Sequence, residues 1–258
     1  MEKLGLVLGG GGSRGAYQAG AIKALGELGF QADIVTGSSV GAINACIYAQ
    51  CDTATQEEVW HNINYEEVVQ HNFKWKNKAI ELFWKAPWQQ GFDMTPLKLI
   101  LEKYLCEEKI RSSKIQLGIV YTGPYTKYMP TVVADIPDGQ LIDYVLASCS
   151  ATPFLKATTL KNGKKCTDGG FTDNLPIHFT IQLGATKIIA IKIMAGTRKM
   201  YSKKKAQVLY LKPSKRLPFF LNFDKEKLKE MFALGYKDTL EKSEEILKFL
   251  NSPIPQQK

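Results

Sequence analysis

Histidine is scarce in this chain of 258 residues: there are three, His61, His71 and His178. The usual general base for a serine or cysteine nucleophile therefore has few places to come from. Long hydrophobic runs are missing as well. No stretch of about 18 consecutive apolar residues occurs, which argues against a transmembrane helix. The five cysteines, Cys46, Cys51, Cys106, Cys149 and Cys166, include no C-x-x-C pair and no Cys/His spacing of a metal site. They read as free thiols of a reducing compartment, neither a disulfide framework nor metal ligands. Internal repeats and low-complexity segments are absent, which sets aside solenoid and disordered architectures. The N-terminus runs directly into a strand pattern and has no signal-peptide layout.

What is present is an ordinary globular composition, 45% hydrophobic, enough for one large core. Its 34 Lys and Arg outweigh its 25 Asp and Glu to give a formal charge of +9. That excess suits an anionic partner. With no nucleic-acid-binding signature beside it, an anionic lipid surface is the partner favoured.

Residues 3–8 have the pattern of a short buried strand, followed by the glycine run 9–12 and a helical spacing of Ala16, Ala19, Ile22, Leu25 and Leu28 over 13–29. A second apolar run, 33–36, leads to Ser39, and 42–50 continues as a small-residue helix. Strand, helix, strand, helix at this spacing predicts a parallel sheet covered by helices. Residues 52–110 read as a helical insertion rich in Trp and Lys. Strand patterns resume at 116–122 and 127–134, a helix at 141–148, and a hairpin at 158–167 turning at Asn162-Gly163. A short helix over 176–183, strands at 187–194 and 207–211, a long amphipathic helix over 225–250 and a flexible tail at 251–258 complete the chain. The whole predicts one three-layer α/β/α domain over residues 1–250, with a mainly parallel central sheet.

The cluster Gly37-Ser38-Ser39-Val40-Gly41 places a serine at a sharp strand-to-helix turn, where its hydroxyl stands clear of the backbone beside a helix N-terminus. Gly37 and Gly41 leave room for that turn. A plain helix-capping serine is the alternative reading. Upstream, Gly9 through Gly12, with Ser13, Arg14 and Gly15, let several backbone N–H groups converge on one anion. Gly10, Gly12 and Gly15 also match G-x-G-x-x-G, but a dinucleotide loop wants an acidic residue at the end of the second strand. Asp33 precedes that strand, so dinucleotide binding is disfavoured. Downstream, Asp168-Gly169-Gly170 sets a carboxylate on a loop after a strand, exposed between small neighbours. It can serve as direct base, or simply cap its own turn. His178 falls on a helix face beside Ile177 and Phe179, the pattern of a packed residue, and His61 and His71 lie in the insertion.

Together these residues resemble the patatin-like phospholipase family: the glycine loop Gly10-Gly11-Gly12-Ser13-Arg14-Gly15, the elbow around Ser39, and Asp168-Gly169-Gly170. The lesser blocks from Ala147 to Phe154 and from Asp173 to Pro176 are similar to the family too. The resemblance covers roughly residues 4–195; beyond that it is a general similarity to bacterial members. It implies a lipid acyl hydrolase working by a Ser39–Asp168 dyad through an acyl-serine, with backbone N–H groups of Gly10, Gly11 and Gly12 as oxyanion hole. Arg14, Gly37, Gly41, Gly169 and Gly170 would support the site. No metal and no cofactor are implied. A carboxylesterase or thioesterase acting on soluble acyl substrates is the alternative.

Within the insertion, residues 73–88 interleave Lys74, Lys76, Lys78 and Lys85 with Trp75, Phe83, Trp84 and Trp88. Trp and Lys together suit a bilayer interface, so the segment is expected either as a lid or membrane-contact edge near Ser39 or as aromatics packed on the core. A second basic stretch, from Arg198 through Lys203-Lys204-Lys205 to Lys215-Arg216, is expected to be another docking loop or a solvated one. A cytoplasmic protein, peripheral to the inner face of a membrane, is the expected setting.

Overall fold

The computed structural model describes residues 2–51, 53–72, 74–194 and 206–253. The first strand, β1 (Leu4–Leu8), runs through the glycine loop and a 3-10 turn at Gly12–Arg14 into α1 (Gly15–Glu27). Strand β2 (Ile34–Ser38) is followed after one residue by α2 (Val40–Ala49). The insertion holds α3 (Thr53–Asn62), α4 (Lys78–Lys85), α5 (Thr95–Tyr104) and α6 (Glu107–Ser112). Then come β3 (Gln116–Gly123), β4 (Lys127–Val132), α7 (Leu141–Cys149), β5 (Thr158–Thr159), β6 (Lys165–Asp168) and the single turn α8 (Gly170–Asp173). The chain closes with α9 (Ile177–Gln182), β7 (Lys187–Ile191), β8 (Gln207–Leu211), α10 (Lys225–Leu240) and α11 (Ser243–Asn251).

The sheet order is β5-β6-β3-β2-β1-β7-β8, with β4 pairing β3 outside that path. Strands β3, β2, β1, β7 and β8 are parallel, while β4 and β6 run antiparallel to β3. Successive side chains of a strand face opposite ways, and the central strands divide their apolar residues accordingly. Leu6, Leu8, Ile189 and Ile191 point into the larger core, under α1, α2, the insertion and α10. Val7, Ile188 and Ala190 point to a smaller core roofed by α9. Helices thus cover both faces of a mixed, mainly parallel sheet.

Two glycines set the tightest helix crossing. A Cβ on Gly20 of α1 would collide with the Phe232 carbonyl of α10, and one on Gly235 would collide with the Tyr17 carbonyl of α1. The backbones of α1 and α10 therefore meet directly, and Asp238 accepts a bond from the Tyr17 hydroxyl at 3.0 Å behind them. The helix expected over 225–250 is two helices, broken at Glu241 and Lys242, which lets Ile246 turn back into the main core. The basic residues 198–205, Phe73 and tail residues 254–258 lie outside the described residues.

Candidate active site

Sheet register brings the two chemical candidates together across one strand. Ser38 is paired with Val120 of β3 on one side, and Asp168 with Tyr121 on the other. β3 stands between β2 and β6, so Ser39 and Asp168 meet over its C-terminal end, where ligands bind in open α/β sheets. Ser39 has φ 55° and ψ −130°, a strained backbone for a residue with a Cβ. The turn closes because Gly41 lacks a side chain that would collide with the Leu8 carbonyl, and Gly37 one that would collide with Gly41 itself.

The strain is held by bonds reaching in from α7. The Ser39 N–H donates to Ser148 Oγ at 2.8 Å, and the Ser148 hydroxyl donates to the Val120 carbonyl at 2.6 Å. The same segment receives the other partner: the N–H of Asp168 donates to Ser150 O at 2.9 Å and that of Gly169 to Ser148 O at 3.1 Å. Ser148 and Ser150 therefore clamp both halves of the site. Their block resembles the family in sequence, but their bonding partners lie about 20 and 109 positions away, beyond any local pattern.

Asp168 differs from its sequence reading in one respect. It was expected to be exposed on a loop, yet it is the last residue of β6 and buried. Burial raises its pKa from 3.8 to about 6, opposed by hydrogen bonds from the Ser39 hydroxyl and from the Gly170 N–H, the latter at 2.7 Å. A carboxylate poised near neutrality beside a hydroxyl has the character of a general base. All three histidines lie elsewhere: His178 on α9, His61 tilted against Phe232 with ring centroids 5.2 Å apart, and His71 beside Glu81 at 3.1 Å. Of the three, none lines the cavity described below.

The glycine loop is pinned from below. Gly10 N–H donates to Asn174 O at 3.0 Å and Asn174 Nδ2 donates back to Gly10 O at 3.3 Å. The Gly10 N–H is thus engaged in holding the loop. Gly11 and Gly12 face the cavity beside Ser39, and Gly12 takes φ 55° against Phe220, where a Cβ would strike the carbonyl. Val40, whose N–H opens α2, lines the same space and adds a donor that sequence reading did not name. Arg14 is a strut: Nε donates to Pro218 O at 2.9 Å and Nη1 to Ile193 O at 3.4 Å. Asp33, the residue weighed for a nucleotide, accepts from Leu4 N–H at 2.7 Å at the opposite end of the sheet. Among the described residues, no group of three or more His, Cys, Asp or Glu is placed to hold a metal ion.

From Ser39 a cavity of about 310 Å³ runs beneath the insertion, lined by Trp60, Val69, Leu82, Leu101, Phe154, Phe220 and other apolar side chains. Its size and lining fit an apolar ligand. Phe154 and Phe220 continue outward as a ladder of rings: Phe154 to Phe83 at 5.6 Å, Phe219 to Phe220 at 4.6 Å, Phe83 to Phe219 at 6.0 Å. Beyond them Trp84 is 60% and Trp88 87% exposed. Within residues 74–88, Leu82 packs inward on the cavity while Trp84 and Trp88 face solvent. Their lysines divide too. Lys78 binds Glu66 at 2.5 Å and Lys85 binds Glu81 at 2.5 Å, leaving Lys74 and Lys76 exposed. Burial pushes the Glu81 carboxyl up, but donors from Lys85, the N–H groups of Lys74 and Trp75, and His71 hold it at about 2. That charged anchor ties α4 to the loop before it.

The family model described as "Patatin-like phospholipase" matches residues 6–181. "Patatin-like phospholipase domain-containing protein 7" of Mus musculus is 28% identical over 191 residues, 74% of this chain and 13% of its own length. "Neuropathy target esterase sws" of Drosophila melanogaster is 29% identical over 199 residues, with the same coverage. "Lysophospholipase nte1" of Aspergillus terreus is 57% identical over 49 residues, 19% of this chain and 3% of its own. The chain thus spans about an eighth of the length of the first two relatives. Among solved structures, VipD from Legionella pneumophila has a TM-score of 0.54 at 14% identity, covering 95% of this chain and 67% of its own. The type III effector ExoU has a TM-score of 0.51 at 16% identity, covering 97% and 54%. At such identities the likeness is of fold.

Proposed function

Because the chain belongs to the patatin-like phospholipase family, we propose that it is a lipid acyl hydrolase working through a Ser39–Asp168 dyad. The observation that carries the reading is a strained serine hydrogen-bonded to a buried carboxylate at the mouth of an apolar cavity. Ser39 Oγ attacks the ester carbonyl carbon as its proton passes to Asp168. The oxyanion that forms receives N–H bonds from Gly11, Gly12 and Val40. Collapse breaks the C–O bond to the alcohol, which leaves with the proton from Asp168, and the acyl group stays on Ser39. Water then attacks with Asp168 again as base, releasing the fatty acid and restoring the serine. A single acyl chain fits along the cavity, with the alcohol part of the substrate outside it. Two of the relatives carry the names phospholipase and lysophospholipase, in keeping with a lipid ester as substrate.

Trp84, Trp88, Phe83 and Phe219, flanked by Lys74 and Lys76, form the docking edge through which the mouth meets an anionic lipid surface. Among the described residues no helix is long and apolar enough to cross a membrane, and peripheral contact by this edge does not need one. The test is turnover of p-nitrophenyl esters by wild type, Ser39→Ala and Asp168→Ala. Loss in both variants, with the fold intact by circular dichroism, supports the dyad. Undiminished hydrolysis in either one sinks it.

A further inference from the structure

Behind the cavity wall lies a feature that the dyad leaves unexplained: a run of buried polar groups in apolar surroundings. Trp60 of α3 lines the cavity, and its indole N–H donates to Asn44 Oδ1 at 2.9 Å. Asn44, on α2 five residues after Ser39, donates through Nδ2 to Gly15 O and to Gln18 Oε1, each at 3.0 Å. Gln18, on α1, donates through Nε2 to Gly9 O at 2.7 Å and to Ile191 O at 3.4 Å. An indole nitrogen only donates and a carbonyl only accepts, so each amide has a single consistent orientation.

Asn44 and Gln18 are fully buried and Trp60 nearly so. Burying such groups is costly unless every one is matched, and here each amide is. The matched network joins the insertion, the nucleophile helix, α1 and the glycine loop. Its outer end is placed close to the chemistry. A Cβ on Gly15 would fall against Trp60 Cζ2 and Cη2 and also against the Val40 side chain, so indole and valine stand side by side there. Val40 follows Ser39, and both it and Trp60 line the cavity. The ring thus lines the cavity that holds Ser39, beside the residue that follows the serine.

We infer that Trp60 is the acyl-selectivity residue of this site: its indole, clamped by Asn44 and Gln18, admits acyl chains that run straight from the carbonyl and rejects chains branched beside it. A rigid ring held at its nitrogen cannot swing aside for a branch, as a free aliphatic side chain would. This deepens the acyl-hydrolase reading and rests on it.

The experiment compares kcat/KM for two isomeric eight-carbon esters, p-nitrophenyl octanoate and p-nitrophenyl 2-ethylhexanoate. Trp60→Ala is expected to raise the branched-to-straight ratio by about tenfold or more, the range that pocket shape controls. Trp60→Phe keeps a smaller ring without the N–H and is expected to raise it by about threefold. Asn44→Ala leaves the ring but frees it, and the ratio rises there too. If Trp60→Ala does not fold by circular dichroism, Trp60→Phe and Asn44→Ala decide by the same ratio. Both esters slowing alike in the folded variants, with the ratio unchanged, overturns the inference and leaves Trp60 a structural wall. Wild type that hydrolyses neither ester overturns the acyl-transfer reading itself, a different and separately visible result.

Discussion

Replacing Asp168 by asparagine separates what the carboxylate does for chemistry from what it costs the fold. Burial at the end of β6 is the largest influence on this group and raises its pKa from 3.8 to about 6 against the pull of two hydrogen bonds. A carboxyl whose folded pKa lies above its unfolded value favours the folded state while protonated. That contribution is complete below the unfolded pKa and is lost as pH rises through the folded one. By about pH 8 the loss is on the order of 3 kcal/mol, at about 1.4 kcal/mol for each pH unit between the two values. Asparagine has nearly the same shape, can still accept from the Gly170 N–H, and never ionises. Asp168→Asn is therefore expected to be more stable than wild type by about 3 kcal/mol at about pH 8, converging with it near pH 4. Urea denaturation at both pH values measures the difference, and the variant should have no esterase activity. A variant no more stable than wild type at about pH 8, or a difference that does not change with pH, refutes the reasoning.

The same pKa governs the rate. For a neutral ester, kcat/KM should rise with pH through about 6, as Asp168 loses its proton, and then level off. A profile already flat on both sides of that value places the base on another group. At the docking edge, emission of Trp84 and Trp88 should shift to the blue when anionic phosphatidylglycerol vesicles are added. The shift should be absent from a Trp84→Ala, Trp88→Ala variant and reduced by salt. Unchanged emission in wild type removes the interfacial role from this edge.

The parts of the fold legible in the sequence are those fixed by local punctuation. Glycines at 9–12 and again at 37 and 41 stop two buried strands and start two helices, and the structure places β1, α1, β2 and α2 there. The strand pattern at 127–134 corresponds to β4, and its antiparallel pairing with β3 follows from the three-residue connection Pro124–Thr126, too short for a parallel crossover. Asp168 misled because an Asp-Gly-Gly run has the local chemistry of an exposed turn. Its burial comes from Ser148 and Ser150, which take the N–H groups of Gly169 and Asp168 from a different helix end. A glycine run offers several free donors, and the sequence could not show that Asn174, 164 positions away, accepts from the Gly10 N–H. Asn44, Gln18 and Trp60 belong to three separate helices, each with an ordinary helical pattern, and only the packed molecule brings them together. The break at Glu241 has no glycine or proline to announce it.

An acyl group on Ser39 is the most direct mark of the proposed reaction. Wild-type protein mixed with a p-nitrophenyl ester, quenched in acid within its first turnovers and digested, can be read by mass spectrometry of the peptide that holds Gly37-Ser38-Ser39-Val40-Gly41. This peptide is expected to gain the mass of one acyl group, located on Ser39, and the Ser39→Ala peptide to gain none. Turnover with no acylated peptide, or with the acyl group on Ser38, Cys149 or any other residue, would contradict the proposed reaction.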